Sequence, residues 1–190
     1  ALSKLCNTVQ SISANLGLAH DGDADRLVIV DESGHAISSE YTLALIADFL
    51  LEKTDQPAYI VATISTSRLI EDIADRHKAE LLRVPVGVSF VVNKMKELSK
   101  DNPKALVLGG EGTGGVILPN WQYTTDGIAA ISVIVQMLAD SDYSIQSRVR
   151  NLPKYEMHKI KLKIKRQAIA DELVQRATVV FGQLSNSTLD

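Results

Sequence analysis

The sequence lacks several features that would mark particular classes of protein. It contains a single cysteine, Cys6, in 190 residues, so no disulfide can form within the chain and we expect a reducing, cytoplasmic compartment. Twenty lysines and arginines against twenty-three aspartates and glutamates leave a net charge of -3, whereas nucleic-acid-binding domains are usually basic. No apolar run reaches the roughly 18 residues that a membrane-spanning helix needs. We therefore expect neither a disulfide scaffold nor a nucleic-acid or membrane partner.

Apolar residues that are present follow two patterns along the chain. Spacing typical of helices occurs over 2–15, 40–53, 67–78, 90–98, 127–138 and 168–181. Short continuous apolar runs, typical of buried strands, occur at 27–30, 59–62, 81–84 and 105–108. Strands separated by helices predict an α/β fold with a mixed, largely parallel sheet layered with helices.

The pattern changes near residues 151–156, where we place a domain boundary. Residues 157–165 then alternate apolar side chains with lysines, which predicts a strand buried on one face. The lysine face is better explained as a solvated strand face than as a nucleic-acid patch, because no aromatic residues are interleaved for base stacking.

Three aspartates, Asp21, Asp23 and Asp25, alternate with two small residues just before the apolar run at 27–30. In an extended loop this spacing directs three carboxylates toward one point. Two like charges about 4 Å apart repel each other by about 4 kcal/mol at an effective dielectric constant near 20. A cation relieves this repulsion, and oxygen ligands on a loop suit Mg²⁺ or Ca²⁺ better than zinc.

Other interpretations of the aspartate segment are an acidic surface turn, a calcium EF-hand and a haloacid-type phosphatase. An EF-hand would use Glu32 as its twelfth loop residue, but it needs glycine at the sixth, where this chain has Arg26. It also needs an exiting helix where the run at 27–30 predicts a strand. A haloacid-type phosphatase would use Asp21 and Asp23, and we find no convincing downstream lysine and acidic partners for them.

A glycine cluster, Gly-Gly-Glu-Gly-Thr-Gly-Gly at 109–115, follows the predicted strand at 105–108. Glycines allow the backbone to approach a ligand closely, and the cluster is not a P-loop because no Gly-Lys-Ser/Thr ends it. The carboxylate of Glu111 can accept hydrogen bonds from sugar hydroxyls, and the hydroxyl of Thr113 can accept from them and donate to them. A glycine-rich tight turn without a ligand would have the same sequence.

Together these motifs resemble the α-D-phosphohexomutases, the superfamily of phosphoglucomutase, phosphomannomutase and phosphoglucosamine mutase. Residues 17–27 are similar to the metal-binding loop of that family, and 110–114 match its Gly-Glu-x-Ser/Thr-Gly sugar loop. Val86-Gly87 lies where the family has a short Val-Gly loop, Asp126-Gly127 precedes a helix, and 152–155 resemble an interdomain linker. The resemblance covers nearly the whole chain.

The resemblance implies an enzyme of the isomerase class that interconverts hexose or hexosamine 1-phosphates and 6-phosphates through a phosphoserine and a bisphosphate intermediate. It also implies roles for seven residues: Mg²⁺ ligation by Asp21, Asp23 and Asp25, stabilisation of the transferring phosphoryl group by Arg26, and substrate contacts by Glu111, Thr113 and Gly87. Phosphoryl transfer depends on positioning and charge neutralisation, which a divalent ion and an arginine supply.

The chain departs from the family pattern at two positions and lacks two of its motifs. Gly115 and Val88 stand where many relatives carry histidine, so we assign no general base. The version of the sugar loop that ends in two glycines resembles that of archaeal or bacterial phosphomannomutases and phosphoglucosamine mutases. No Ser-His-Asn-Pro-like phosphoserine loop and no Arg-x-Ser-Gly-Thr phosphate loop occur. We therefore expect part of a longer enzyme, inactive by itself: the end of domain 2 with the metal loop (1–25), domain 3 (26–150), and a linker with the start of domain 4 (151–190). The alternative is a non-catalytic sugar-phosphate or metal-binding domain.

Overall fold

The computed structural model describes residues 2–156, 163 and 167–187. It divides into two units, Ala1–Tyr155 and Glu156–Asp190, and each is described by itself. In chain order the elements are α1 (Leu2–Ser11), β1 (Gly17–His20), β2 (Leu27–Val30), α2 (Glu40–Glu52), β3 (Ala58–Thr63), α3 (Leu69–His77), β4 (Glu80–Val84), α4 (Val88–Asp101), β5 (Leu106–Gly110), β6 (Val116–Ile117), α5 (Gly127–Ala139), α6 (Ile145–Arg150) and α7 (Gln167–Ser187).

The first unit is built on a four-stranded sheet with the order β4-β3-β5-β6. β3 pairs in parallel with β4 on one side and with β5 on the other, whereas β6 pairs antiparallel with β5. Thr63 lies opposite Val84, and Ala62 lies opposite Gly110, so the parallel strands end nearly level. The loops that follow them emerge at one edge, here called the carboxyl edge, where open α/β sheets bind ligands. The predicted α/β fold with a mixed, largely parallel sheet is confirmed.

Helices cover both faces of this sheet. Ile60 and Ala62 of β3 are buried in a core shared with α2, α3 and α5, while Val61 between them is buried in a second core with α4. Alternate residues of a strand point to opposite faces, so a strand covered on both sides reads as a continuous apolar run. This explains why the run at 59–62 shows no alternation.

β1 and β2 form a separate antiparallel pair, in which Gly17 lies opposite Val30 and His20 opposite Leu27. The sequence predicts only β2 as a strand, because β2 is a continuous apolar run, whereas β1 contains a glycine and a histidine. The pairing has a direct consequence for the candidate metal ligands. It makes residues 21–26 the connection of a hairpin, with both of its ends fixed.

The other predicted elements of the first unit are present with their ends shifted by a few residues. β5 extends to Gly110, further into the glycine cluster than predicted, because Gly109 and Gly110 still pair with β3 and β6. The short elements β6 and α6 are not predicted from the sequence. In the second unit, α7 confirms the predicted helix and continues to Ser187.

The strand predicted over 157–165 lies outside the described residues, apart from Lys163. Among the helices of the described ranges, none combines the length and the apolar character needed to cross a lipid bilayer.

Candidate metal centre and the loops around it

The structure brings the three aspartates of the β1–β2 connection together. One carboxylate oxygen from each of Asp21, Asp23 and Asp25 lies within 4.8 Å of the others. The connection turns tightly because the Ala24 amide donates to the Asp21 carbonyl at 3.2 Å and Ala24 has a φ of 58°. A positive φ is uncommon outside glycine, and here it accompanies the turn that gathers the carboxylates. Their role as metal ligands stays a prediction.

Arg26 lies directly against this acidic cluster. Its Nε is 2.5 Å from Oδ2 of Asp21 and 3.4 Å from Oδ1 of Asp25, and its backbone amide donates to Oδ1 of Asp21 at 3.3 Å. The hydrogen bond and attraction from Asp21 raise the pKa of Arg26 above its usual value. The guanidinium is therefore a permanent cation beside the aspartates, and its side chain remains 53% exposed.

Two of the aspartates have pKa values shifted in opposite directions. Partial desolvation acts to raise the pKa of Asp21, but hydrogen bonds and attraction from Arg26 outweigh it and hold this pKa below the ordinary value. Desolvation, reinforced by repulsion from Asp21 and Asp23, raises the pKa of Asp25. A raised carboxyl pKa means that the surroundings disfavour the ionised form, so the negative charge at Asp25 is poorly compensated by protein groups.

The residues present fit a divalent cation that prefers oxygen ligands. Oδ1 of Asp25 is buried and accepts no hydrogen bond from the part of the chain that the structure describes; its contact with the Arg26 guanidinium at 3.4 Å is an ion pair without a hydrogen bond. A buried acceptor without a donor costs free energy, and a cation supplies the missing partner. Three carboxylates without nitrogen or sulfur ligands suit Mg²⁺ or Ca²⁺ rather than zinc.

The glycine loop, residues 109–115, lies beside the aspartate loop. It joins β5 to β6 and is closed by the Glu111 amide, which donates to the Gly115 carbonyl at 3.0 Å. The Gly114 carbonyl accepts a hydrogen bond from the Leu27 amide at 3.1 Å, immediately after the aspartates. Glu111 is half-buried and Thr113 is exposed. The aspartate loop and the glycine loop, far apart in the sequence, are thus joined through the backbone.

The start of α5 supports the aspartate loop from a third direction. The Gly127 amide donates to the Ala24 carbonyl at 2.8 Å, and the buried Thr125 hydroxyl donates to Oδ2 of Asp25 at 3.4 Å. Asp126 caps α5 by accepting from the Ala129 amide at 2.8 Å. The sequence indicates the Asp126-Gly127 pair but not Thr125. The only sequence signal for it is its position directly before that pair.

Gly87, the remaining predicted site residue, follows β4 at the carboxyl edge. It shares this edge with the glycine loop, but β4 is separated from β5 by β3. Three apolar side chains in the segments that follow β3 and β4 are exposed: Ile64 after β3 (67%), and Val86 (58%) and Phe90 (50%) after β4. The edge therefore combines a charged, hydroxyl-bearing part at the aspartate and glycine loops with an apolar part near Gly87, which the sequence analysis does not predict.

A family model described as phosphoglucomutase/phosphomannomutase, alpha/beta/alpha domain III, matches residues 38–155. The matched range contains the glycine loop, Gly87 and the start of α5. The aspartate loop precedes it.

Curated proteins with mutase names are similar to most of this chain. It is 36% identical to a phosphoglucomutase/phosphomannomutase of Thermococcus kodakarensis over 171 residues, which cover 89% of this chain and 36% of that protein. It is 33% identical to the phosphoglucosamine mutase of Campylobacter curvus over 162 residues, which cover 85% of this chain and 35% of that protein. The chain spans slightly more than a third of the length of these relatives.

Solved structures agree with the fold. A phosphoglucomutase/phosphomannomutase family protein from Burkholderia thailandensis superposes with a TM-score of 0.68 at 26% identity, covering 80% of this chain and 32% of that chain. Parafusin, a phosphoglucomutase from Paramecium, superposes with a TM-score of 0.57 at 22% identity, covering 77% of this chain and 27% of that chain. The second likeness concerns the fold alone.

Proposed function

This chain belongs to the phosphoglucomutase/phosphomannomutase family, and we propose that it forms the metal-binding and sugar-binding part of a phosphohexomutase. The observation that carries the proposal is the direct junction of the aspartate and glycine loops, through the Leu27 amide and the Gly114 carbonyl. A mutase must hold a sugar and a reacting phosphoryl group side by side, and this junction provides adjacent places for both. The proposed substrates are hexose or hexosamine phosphates, interconverted between the 1-phosphate and the 6-phosphate.

We propose Mg²⁺ as the ion and Asp21, Asp23 and Asp25 as the residues that hold it. When bound, the ion neutralises negative charge on a phosphoryl group. Arg26 contributes a permanent positive charge at the same place. Its Nε faces the aspartates, and the terminal amino groups of a guanidinium can bind phosphoryl oxygens in pairs. Arg26 thereby stabilises the transferring group.

The glycine loop would bind the sugar through its hydroxyl groups. A carboxylate such as that of Glu111 accepts hydrogen bonds from hydroxyls, and the Thr113 hydroxyl both donates and accepts. Recognition of hydroxyls instead of a phosphate allows the sugar to present either phosphorylated end to the reacting centre. Gly87 would contact the substrate from the segment after β4, on the other side of β3 from the glycine loop.

The proposed reaction passes through a phosphoserine enzyme and a bisphosphate intermediate. A Ser-His-Asn-Pro-like loop is absent from these 190 residues, so in this proposal the serine belongs to another domain of a longer enzyme. The division into residues 1–25, 26–150 and 151–190 is part of the same proposal. The similar curated proteins are named as mutases, which does not favour a non-catalytic binding domain.

The test is a mutase assay on the full-length enzyme with hexose and hexosamine phosphates. Asp23→Asn removes one metal ligand, and Asp55→Asn, an exposed aspartate in the α2–β3 connection, is the matched control. Loss of a group that only supports a metal ligand lowers activity roughly 10–100-fold. We expect Asp23→Asn, which removes a ligand itself, to lower mutase activity by more than this, and Asp55→Asn to retain full turnover. Full turnover by Asp23→Asn would contradict the metal assignment. Turnover by the pure 190-residue chain would refute the assignment of the serine to another domain.

A further inference from the structure

Glu40, the first residue of α2, lies buried beneath the carboxyl edge. Only 9% of the residue is exposed. Its Oε2 accepts a hydrogen bond from the Ser67 amide at 2.9 Å, which ties the start of α2 to the β3–α3 loop, residues 64–68. Burying a carboxylate is costly unless it is hydrogen-bonded or its charge is compensated. Glu40 lies in the first turn of α2, and its carboxylate accepts a hydrogen bond from the backbone just before α3. Helix N-termini favour a negative charge, so both helix starts suit a carboxylate at this place.

The same carboxylate lies directly under the glycine loop. A Cβ added to Gly112 would overlap both oxygens and the carboxyl carbon of Glu40, so only glycine lets the loop approach this closely. Ser39, the preceding residue, donates from its hydroxyl to the Gly112 carbonyl at 3.1 Å. Residues 39 and 40 thus contact the one residue that separates Glu111 from Thr113.

The β3–α3 loop gives Glu40 a fixed support. Arg83 of β4 donates to the carbonyls of Thr63 and Thr66 at 2.9 Å each and to that of Ser67 at 3.2 Å. The backbone of Ser67 is therefore held at two points: its carbonyl accepts from Arg83 and its amide donates to Glu40. A support tied to two strands and a helix resists displacement, so the Glu40 carboxylate is held by a contact that lies outside the glycine loop.

We propose that Glu40 is a positioning residue for the sugar-binding loop: it fixes Gly112 and thereby sets where Glu111 and Thr113 meet the sugar. The part that concerns the sugar rests on the proposed function, whereas the ordering of the loop does not. A residue that merely stabilised α2 and α3 would lower overall stability without a selective effect on residues 109–115 or on substrate affinity. That difference makes the proposal testable.

The first experiment compares Glu40→Ala with Glu52→Ala, a matched change of an exposed glutamate at the other end of α2. In the 190-residue chain, hydrogen exchange would be measured amide by amide by NMR, and Mg²⁺ affinity by calorimetry. We expect Glu40→Ala to speed exchange about tenfold within the glycine loop relative to the first-unit average, a factor that corresponds to about 1.4 kcal/mol. In the full-length enzyme the KM for sugar phosphate rises about tenfold with kcat little changed, the pattern of lost ground-state and transition-state binding alike.

A second variant, Gly112→Ala, keeps the proposal falsifiable if Glu40→Ala folds poorly. Its Cβ overlaps the Glu40 carboxylate, so it should disturb the loop strongly alone and less in a Glu40→Ala background, where the space is open. Such non-additivity is expected between residues that are in contact or otherwise coupled, whereas changes at distant sites without shared partners usually add. The proposal is overturned if Glu40→Ala speeds exchange evenly over the first unit, if it behaves like Glu52→Ala, or if Gly112→Ala costs the same in both backgrounds. A full-length protein without mutase activity would refute the proposed function, and the exchange measurements would still decide the role of Glu40.

Discussion

The contact between α5 and the aspartate loop makes a sharp prediction for Gly127→Ala. Gly127 is buried, and its amide already bonds the Ala24 carbonyl. A Cβ at this position would lie 2.8 Å from the Ala24 carbonyl oxygen and 3.1 Å from that of Arg26. Both are backbone atoms of the aspartate loop, so no side chain can rotate away. The loop itself has to move.

The size of the effect follows from two opposing terms. Where a Cβ fits, a change from glycine to alanine stabilises a protein by about 0.4–1 kcal/mol, because it restricts the unfolded chain. Forcing extra atoms into a packed site costs about 1–3 kcal/mol, and backbone neighbours place this site toward the upper end. We expect Gly127→Ala to lower the free energy of unfolding by about 1–2 kcal/mol. Displacement of the carboxylates should also weaken Mg²⁺ binding about tenfold or more.

The aspartate loop supplies its own control. A Cβ on Gly22 would meet no atom within 4 Å, so Gly22→Ala makes the same chemical change between two of the proposed ligands without a clash. Urea unfolding followed by the fluorescence of Trp121, the single tryptophan, and calorimetric Mg²⁺ titration would compare the variants. We expect Gly22→Ala to match or exceed the native stability and to keep its Mg²⁺ affinity. Equal behaviour of the two variants would refute the view that α5 positions the aspartate loop.

Two further predictions concern the charges. Asp25→Asn should stabilise the chelator-treated chain at neutral pH and destabilise it relative to the native chain in excess Mg²⁺. The pKa of Asp25 is raised in the folded chain, which means that the ionised carboxylate opposes folding. The stability advantage of the asparagine variant therefore develops as the pH rises from the ordinary pKa of 3.8 through the raised pKa. Urea unfolding across pH checks it, and an unchanged ranking in Mg²⁺ would contradict it. The last prediction compares two arginines. Arg83→Met should lower the free energy of unfolding by about 2–3 kcal/mol, because it leaves buried carbonyls without donors. Arg68→Met should lower it by less than about 0.5 kcal/mol. Both arginines contact Glu71, but the side chain of Arg83 is 23% exposed and that of Arg68 is 79% exposed. Equal losses of stability in urea unfolding would refute the claim that the buried carbonyls depend on Arg83.

The fold was predictable wherever local sequence and packing agree. The run at 27–30 is β2 with the predicted bounds, and α5 begins at Gly127 as predicted because Asp126 is a strong N-cap residue. The sequence does not predict β1, because its pairing with β2, and not its own pattern, makes it a strand. The glycines at 109 and 110 predict a loop on propensity, whereas pairing with β3 and β6 extends β5 through them.

The candidate site divides in the same way. Alternation of Asp21, Asp23 and Asp25 was enough to predict that their carboxylates converge, because the whole cluster lies within five residues. The sequence does not predict that Thr125 and Glu40 belong to the site. Thr125 contacts an aspartate 100 positions earlier, and Glu40 contacts Ser67, 27 positions later. Such contacts depend on how the sheet brings loops together. Glu40 carries no local sequence signal for its contact, and Thr125 carries only its position directly before Asp126-Gly127.

Calorimetric titration of the 190-residue chain with Mg²⁺ tests most directly the claim that the aspartate loop is a divalent-cation site beside the glycine loop. The native chain and Asp55→Asn should bind one ion per chain with equal affinity, and Asp23→Asn should show no saturable binding over the same concentration range. Absence of saturable binding in the native chain, or equal binding by Asp23→Asn, would contradict the account.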